Sequence, residues 1–399
     1  MYKLYFDIRD IFRAPRLALS GKKILIQGLG LLIGYVGYLI LTYVAFLISG
    51  MGLSDIWESY RFFPLWGFTF SHWLSWLVFI IGCLFFVATW LLACAAVGKV
   101  TYEQLKGDEF YSARDSLKFL KNHGKTVLLT PLSLIVFSVL LVVGGIIVGL
   151  LGKIPYLGEL GLGIFYAVPI FVVAFFVIYT LFIFVFSLLL APAVVATMKE
   201  DIFETIVQLF SSIWSQPWRF FLYTALVGVL AKLGTFVLGY FCFRSIQLLN
   251  WSCGVLMKDK LVDITDAALS YLTFPPWFFD FFTNIFPGIA FKFHLPEIGF
   301  GAFLNWSESI SAFLIGITLI LITFGVVSYG LATISTGQAL TYIIIRQKKD
   351  EENLLERKTE EEEEEEERLA EEEEEKPTEE ETETKTQQET KSEEEKDTE

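Results

Sequence analysis

Six long apolar runs fill residues 24–345, and a single charge, Lys232, lies inside them. A bilayer's hydrocarbon core is about 30 Å thick, and a helix needs roughly 20 consecutive apolar residues to cross it. Each run supplies them. The expected fold is therefore all-α: a polytopic transmembrane bundle of about six helices, with spans near 24–50, 73–98, 126–152, 161–190, 220–243 and 311–334. The first run follows 23 polar-rich residues and is long enough to span, so it reads as a retained anchor rather than a cleaved signal peptide.

The chain is 54 % hydrophobic with a mean hydropathy of +0.54, although its C-terminus is extremely polar. Residues 346–399 hold 10 Lys and Arg against 27 Asp and Glu, leaving 21 basic against 18 acidic in residues 1–345. The sequence pI of 4.9 thus describes the tail, and no nucleic-acid partner is expected. Like charges at this density repel and extend, so the Glu-rich tail 346–399 is expected to be disordered. It reads either as a solubilising tether or as a lure for a basic cytosolic partner.

Basic residues are retained on the cytoplasmic side of a membrane, and their density alternates along the chain. Residues 1–23 carry six (Lys3, Arg9, Arg13, Arg16, Lys22 and Lys23), whereas 51–72 carry Arg61 alone; 99–125 again carry six, and the third loop only Lys153. Both termini are therefore expected in the cytoplasm. Segments 51–72 and 244–310 become outer loops, both rich in Trp, Phe and Pro and suited to the headgroup level. The second of these is apolar enough to re-enter the membrane, provided protein or water surrounds its backbone.

Three spans close in small residues, at Ala93-Cys-Ala-Ala-Val-Gly98, Ala191-Pro-Ala-Val-Val-Ala-Thr197 and Ala332-Thr-Ile-Ser-Thr-Gly-Gln-Ala339. Upstream of each odd-numbered span, a helical period places apolar residues on one face. These are Ile8, Ile11, Phe12 and Pro15; then Phe110, Ala113, Leu117 and Leu120; then Ile202, Ile206, Leu209 and Ile213. The pattern reads as three helical hairpins, each preceded by an interfacial helix, with residues 1–23 the first such segment. Gly30/Gly34 and Gly145/Gly149 form GxxxG pairs that allow close helix approach, within the bundle or between copies. Pro169 is expected to kink the fourth span.

Residues able to do chemistry are few. Lys232 is the sharpest candidate, because a charge at a helix centre is costly and by default faces the bundle interior, a cavity or a partner. Its options are backbone carbonyls, a bound anion such as a lipid phosphate, or a neutral amine; the plainer reading is a shifted span from which it snorkels outward. Cys242 and Cys253 fall at the outer end of the fifth run, where a disulfide or two free thiols are both open. The histidines His72, His123 and His294 are dispersed, and no metal or nucleotide motif is present, so neither a cofactor nor an enzyme is expected. Two Asn-Trp-Ser sequons, at Asn250 and Asn305, read as chance.

The arrangement Arg13-Ala14-Pro15-Arg16-Leu17-Ala18 before the first span, with Leu190-Ala191-Pro192-Ala193-Val194-Val195 closing the fourth, resembles prokaryotic multi-pass proteins. Among these is the non-catalytic membrane domain attached to some bacterial glycerophosphodiester phosphodiesterases. The resemblance implies a six-helix fold in a bacterial cytoplasmic membrane. The catalytic domain of that family, with its acidic and histidine ligands, has no counterpart here, so no activity is implied. Two functional classes stand: a membrane scaffold or assembly partner bound to lipids and other membrane proteins, and a transporter or lipid-handling protein with an anionic ligand near Lys232.

Overall fold

The structure, a computed structural model, describes residues 3–60, 62, 64, 69–270 and 304–356. It divides into the body, Met1–Glu352, and a second unit from Asn353 onward. Within the second unit, Asn353 and Glu356 close a turn, the Asn353 amide donating to Glu356 Oε1 at 2.7 Å. Residues 357–399, and with them the disorder expected of the tail, lie outside the described residues.

Among the described residues every regular element is helical, and six helices are long and apolar enough to cross a membrane. Two short helices, α1 (Ile8–Ile11) and α2 (Ala14–Ala18), lead into α3 (Gly21–Ile48). Then follow α4 (Leu53–Tyr60), α5 (Trp73–Lys106), α6 (Ala113–Leu151) and α7 (Leu157–Phe165). A π-helical turn at Tyr166–Ile170 joins α7 to α8 (Phe171–Met198), and α9 (Ile202–Ser215), α10 (Pro217–Met257), α11 (Asp259–Ser270) and α12 (Trp306–Asp350) complete the order. The long helices pair as three hairpins, α3 with α5, α6 with α8, and α10 with α12.

Local chemistry sets the boundaries. Ser112 starts α6, its Oγ accepting from the Asp115 amide at 3.2 Å and donating to the Asp115 carboxylate at 2.6 Å. Pro217 starts α10, where a missing N–H costs nothing, and its ring turns Gln216 out of helical geometry and so closes α9. Asn305 caps α12 in a capping box with Glu308, whose carboxylate accepts from the Asn305 amide at 2.8 Å. The Asn305 sequon is thus a helix start, and Asn250 lies inside α10. Pro169 is housed by the π turn, which removes the clash of its ring with the preceding carbonyls.

Burial is strongly one-sided along the bundle. We call proximal the end where Lys22 reaches the Glu109 carbonyl, Thr101 meets Thr336 and Arg346 meets Gln208. There α8 is buried without a break from Leu190 to Met198, and α12 from Ala339 to Ile345. Toward the distal end α6 buries nothing after Ser138, and α10 nothing after Ala231. The small-residue endings of α5, α8 and α12 meet in the proximal core; a Cβ on Gly98 would touch the Ala196 methyl at 3.1 Å.

Three expectations need correction. Only the third amphipathic stretch forms a separate helix of any length, α9; the second is continuous with α6, which runs unbroken from Ala113 to Leu151 and through Pro131, and the first is split at Phe12–Arg13. The faces differ as well. Ile11, Ala14, Leu17 and Ala18 are buried while Ile8 and Phe12 face outward, and Phe119 is buried while Phe110 and Leu117 are exposed. Finally, 244–310 does not begin as a loop. Arg244 is held on its own helix by the Tyr240 hydroxyl at 2.9 Å and Gln247 at 2.8 Å, so α10 continues to Met257. The re-entry expected of this segment falls on residues outside the described ones.

The two GxxxG pairs separate cleanly. A Cβ on Gly30 would run into Ala93 and one on Gly34 into Thr89, so this pair seats α3 on α5, whereas Gly145 and Gly149 face open space. Overpacking a filled contact costs about 1–3 kcal/mol, and an open surface position changes stability by about 0.5 kcal/mol or less. Gly34→Leu should therefore lower the melting temperature of the detergent-solubilised protein by several degrees, and Gly145→Leu should leave it in place.

Candidate functional site

The proximal core holds charges that its helices seal from solvent. Lys23, in the first turn of α3, is fully buried, and its ammonium donates to the Leu17 carbonyl at 3.0 Å and to Gln104 Oε1 at 2.8 Å. Both acceptors are neutral. It thereby ties the C-terminal end of α2 to the last turn of α5. One turn earlier on α5, Lys99 pairs with Glu103 and lies over the rings of Tyr102 and Phe119, at 5.1 and 5.6 Å from their centroids. At the foot of α12, Arg346 donates to Gln208 of α9 at 2.6 Å and pairs with Asp350 at 2.7 Å and Glu352 at 3.0 Å.

Many hydroxyl groups within the long helices are spent locally. Thr130, Ser138, Thr180, Thr197, Thr318, Thr323, Ser328 and Thr333 each donate to the carbonyl four residues back. This is how a polar side chain is satisfied in an apolar medium without a partner helix. Proximal charges locked inward and hydroxyls locked to their own backbone leave the lateral surface almost wholly apolar.

That surface contains two clefts. The first, of about 900 Å³, lies between α6, α8 and α9 and is walled by Leu132, Val136 and Phe137, by Phe176 and Tyr179, and by Phe203, Val207, Phe210 and Trp214. Phe137 meets Phe176 edge to face at 6.1 Å, and Tyr179 meets Trp214 at 5.7 Å. The second, of about 940 Å³, lies between α6 and the α7–α8 segment; Gly144, Gly145, Gly152, Gly158 and Gly161 line it among leucines, isoleucines and valines.

The structure does not bring the sequence candidates to either cleft. Lys232 is exposed on α10, while its neighbour Ala231 is buried, so the lysine faces out of the bundle rather than into an internal cavity. The packed face of α10 is set by Phe220, Tyr223, Val227 and Ala231, and Lys232 is one residue past it. Cys242 and Cys253 are free and stand on the same helix. Eleven residues of helix separate their Cα atoms by about 16 Å, more than twice what a disulfide bridges, so that pairing is excluded. His123 stacks on Phe119 at 5.0 Å, and no cluster of metal-ligating residues occurs among the described residues.

Sequence reasoning missed Lys23, Lys99 and Glu103. Their signals were present: a lysine doublet directly before a span, and an i, i+4 Lys–Glu pair directly after a small-residue ending. Six long apolar helices with an apolar lateral surface define the class, an integral membrane protein. The chain matches no family model, no curated protein and no solved structure.

Lys23 and Gln104 should be energetically coupled. Gln104→Leu strands a buried ammonium with one acceptor and should destabilise by about 2 kcal/mol. Lys23→Met combined with Gln104→Leu removes the charge together with its partner and should recover at least half of that loss. Thermal unfolding of the four proteins of this cycle in detergent measures the coupling.

Proposed function

We propose that this chain is a non-catalytic membrane scaffold, or assembly partner, that receives a transmembrane helix of another membrane protein along the distal half of α6. The observation that carries the reading is the open glycine face of Gly145 and Gly149. Association in lipid relies on close packing and not on a hydrophobic drive, and small residues four apart are what let two backbones approach. The equivalent pair on α3 is already used inside the bundle; the pair on α6 is open. Glycines also line the cleft beside it, which gives an incoming helix backbone to pack against on both sides.

The proximal core supports the same reading, since it fixes the three hairpins relative to one another without using the distal halves. In this proposal the protein sits in a bacterial cytoplasmic membrane with both termini in the cytoplasm, and the Glu-rich tail offers a site to a basic cytosolic partner. The rival reading, a transporter or lipid-handling protein with an anionic ligand near Lys232, draws no support from the two clefts, neither of which Lys232 lines. No cofactor is required.

Purification of tagged wild-type and Gly145→Leu/Gly149→Leu proteins from native membranes, with stoichiometric quantification of co-purifying membrane proteins, tests the scaffold reading. The double variant should keep its melting temperature and lose the partner; an unchanged set of partners would overturn the proposal. For orientation, single cysteines at Ser54 and Asp108, placed in a cysteine-free background, should react differently with a membrane-impermeant maleimide on intact cells. Ser54→Cys should label and Asp108→Cys should not.

A further inference from the structure

The packing of the long helices sets the depth of each charge that they carry. Helices α10 and α12 are antiparallel, and their register is fixed by Thr235 against Gly330, Val227 against Gly337 and Val326 against Gly239. Beyond the end of α10 it is kept by Lys260, paired with Glu308 at 3.1 Å. That register sets Arg244 against Ile320 and Leu321. Ser328 against Gly28, and Phe324 against Tyr35, carry the level on to Gly37 of α3, within one turn. Gly37 in turn lies against Phe85, in the middle of the apolar run 73–98 of α5. The apolar run of α3 extends from Ile24 to Ile48, so about 20 Å of it lie on one side of Gly37 and about 17 Å on the other. Arg244 therefore stands near the centre of a hydrocarbon core about 30 Å thick. The same register puts Lys232 level with Leu25, at the Lys22–Lys23 end.

At that depth Arg244 is held by its own helix alone. Its Nε donates to the Tyr240 hydroxyl at 2.9 Å and its Nη1 to Gln247 Oε1 at 2.8 Å, and the guanidinium lies 5.1 Å from the centroid of the Tyr240 ring. These are neutral groups, and no carboxylate pairs with Arg244 among the described residues. Tyr240, Arg244, Gln247 and Trp251 recur at helical spacing on one face, and all four are exposed. Helix α10 buries nothing after Ala231, so this face looks out of the bundle. An arginine at the bilayer centre is costly unless it is paired, and its fork of donors matches a carboxylate.

We infer that this face of α10 docks a transmembrane helix of another protein that carries an aspartate or glutamate near its midpoint, the carboxylate being taken up by Arg244 with Gln247 beside it. Headgroup phosphates stand about 15 Å from the bilayer centre, beyond the reach of the side chain. A second copy of this chain has no carboxylate at this level among the described residues, and pairing through the same face would set arginine against arginine. The inference extends the scaffold reading to a second helix and does not use the glycine face of α6, so either can fail without the other.

Designed helices test it. Full-length protein with Cys83→Ser, Cys94→Ser and Cys242→Ser, carrying a donor fluorophore at Cys253, is reconstituted into phosphatidylcholine vesicles. The acceptor is carried by a Lys-flanked leucine helix of about 20 residues. With one glutamate at its midpoint this peptide should associate about tenfold more tightly than its all-leucine form, the size of a strong interhelical polar contact. Arg244→Leu should remove the difference, and Arg244→Glu should transfer the preference to a peptide with a central arginine. Gly145→Leu/Gly149→Leu should bind the glutamate peptide as the unsubstituted glycines do. With Arg244 in place, moving the glutamate two turns toward either end of the peptide should abolish the preference, a measurement that stands even if a variant misfolds. Equal association of the glutamate and leucine peptides, a preference that survives Arg244→Leu, or a preference for the displaced glutamate would each overturn the inference. So would capture of residues 271–303 of the same chain by a photocross-linking residue in place of Trp251.

Discussion

The meeting of three small-residue helix ends is the contact on which the rest of the structure depends. Alanine, glycine and threonine at the ends of α5, α8 and α12 let three backbones approach closely enough to share one core. In lipid this approach is the main source of helix–helix affinity, because burying leucine against leucine gains little over burying it against acyl chains. Close approach also shields what lies between the helices, which is why Lys23, Lys99 and Glu103 are buried at a level where a looser bundle would hydrate them. Lys99 offsets its desolvation with Glu103 and two aromatic rings. Lys23 has only two neutral acceptors, so its position depends most on the surrounding packing.

A core confined to one end has a consequence at the other. The distal parts of α6 and α10 bury nothing after Ser138 and Ala231, and yet they stay helical, with Ser138 and Ser245 bonded to their own helices' carbonyls. Such segments are complete as helices and incomplete as packing surfaces. The distal ends are held instead by local devices: Phe46, Ile56 and Phe70 bury one another, Tyr60 stacks on Phe46 at 4.7 Å, and Tyr35 and Tyr38 donate to the Phe62 and Pro64 carbonyls at 2.6 Å each. Equivalent clasps join α11 to α12 through Ile264, Ala268 and Ala312.

How much of this was legible in the sequence follows from what each signal measures. Length and apolarity locate spans, and the six runs correspond to the six long helices. Breakers are less legible: Pro217 starts α10 and Pro169 falls in a π turn, but Pro131 and Pro192 lie inside unbroken helices. Facing is not legible, because lipid is as apolar as a protein core, so Leu117 and Phe110 could face outward while Phe119 faced in. Small size is the better guide, since the Ala- and Gly-rich endings lie in the core. Charge misled in both directions. Lys232 drew attention by standing in a span and is exposed on α10, while Lys23 and Lys99 passed as loop charges and are buried. The GxxxG motif had the same ambiguity, since its use on α3 and its openness on α6 depend on neighbours that sequence does not supply.

Helix α9 shows most directly what medium the structure is built for. Its buried face carries Thr205, Gln208 and Ser212 beside Leu209 and Ile213, and its exposed stripe carries Phe203, Val207 and Trp214. In water that arrangement would be inverted, because exposing a large apolar side chain costs about 1.5–3 kcal/mol and three such residues outweigh a short helix's other gains. In lipid the cost disappears, and the polar face must turn inward to find partners, as Gln208 does with Arg346 and Glu204. Helix α9 packs against α8 and α6 with that polar face turned toward the foot of α12. Trp214 and Trp218 flank the break between α9 and α10, and Arg219 is the next charge along the chain, so aromatic and basic residues that favour the headgroup level gather where α9 ends.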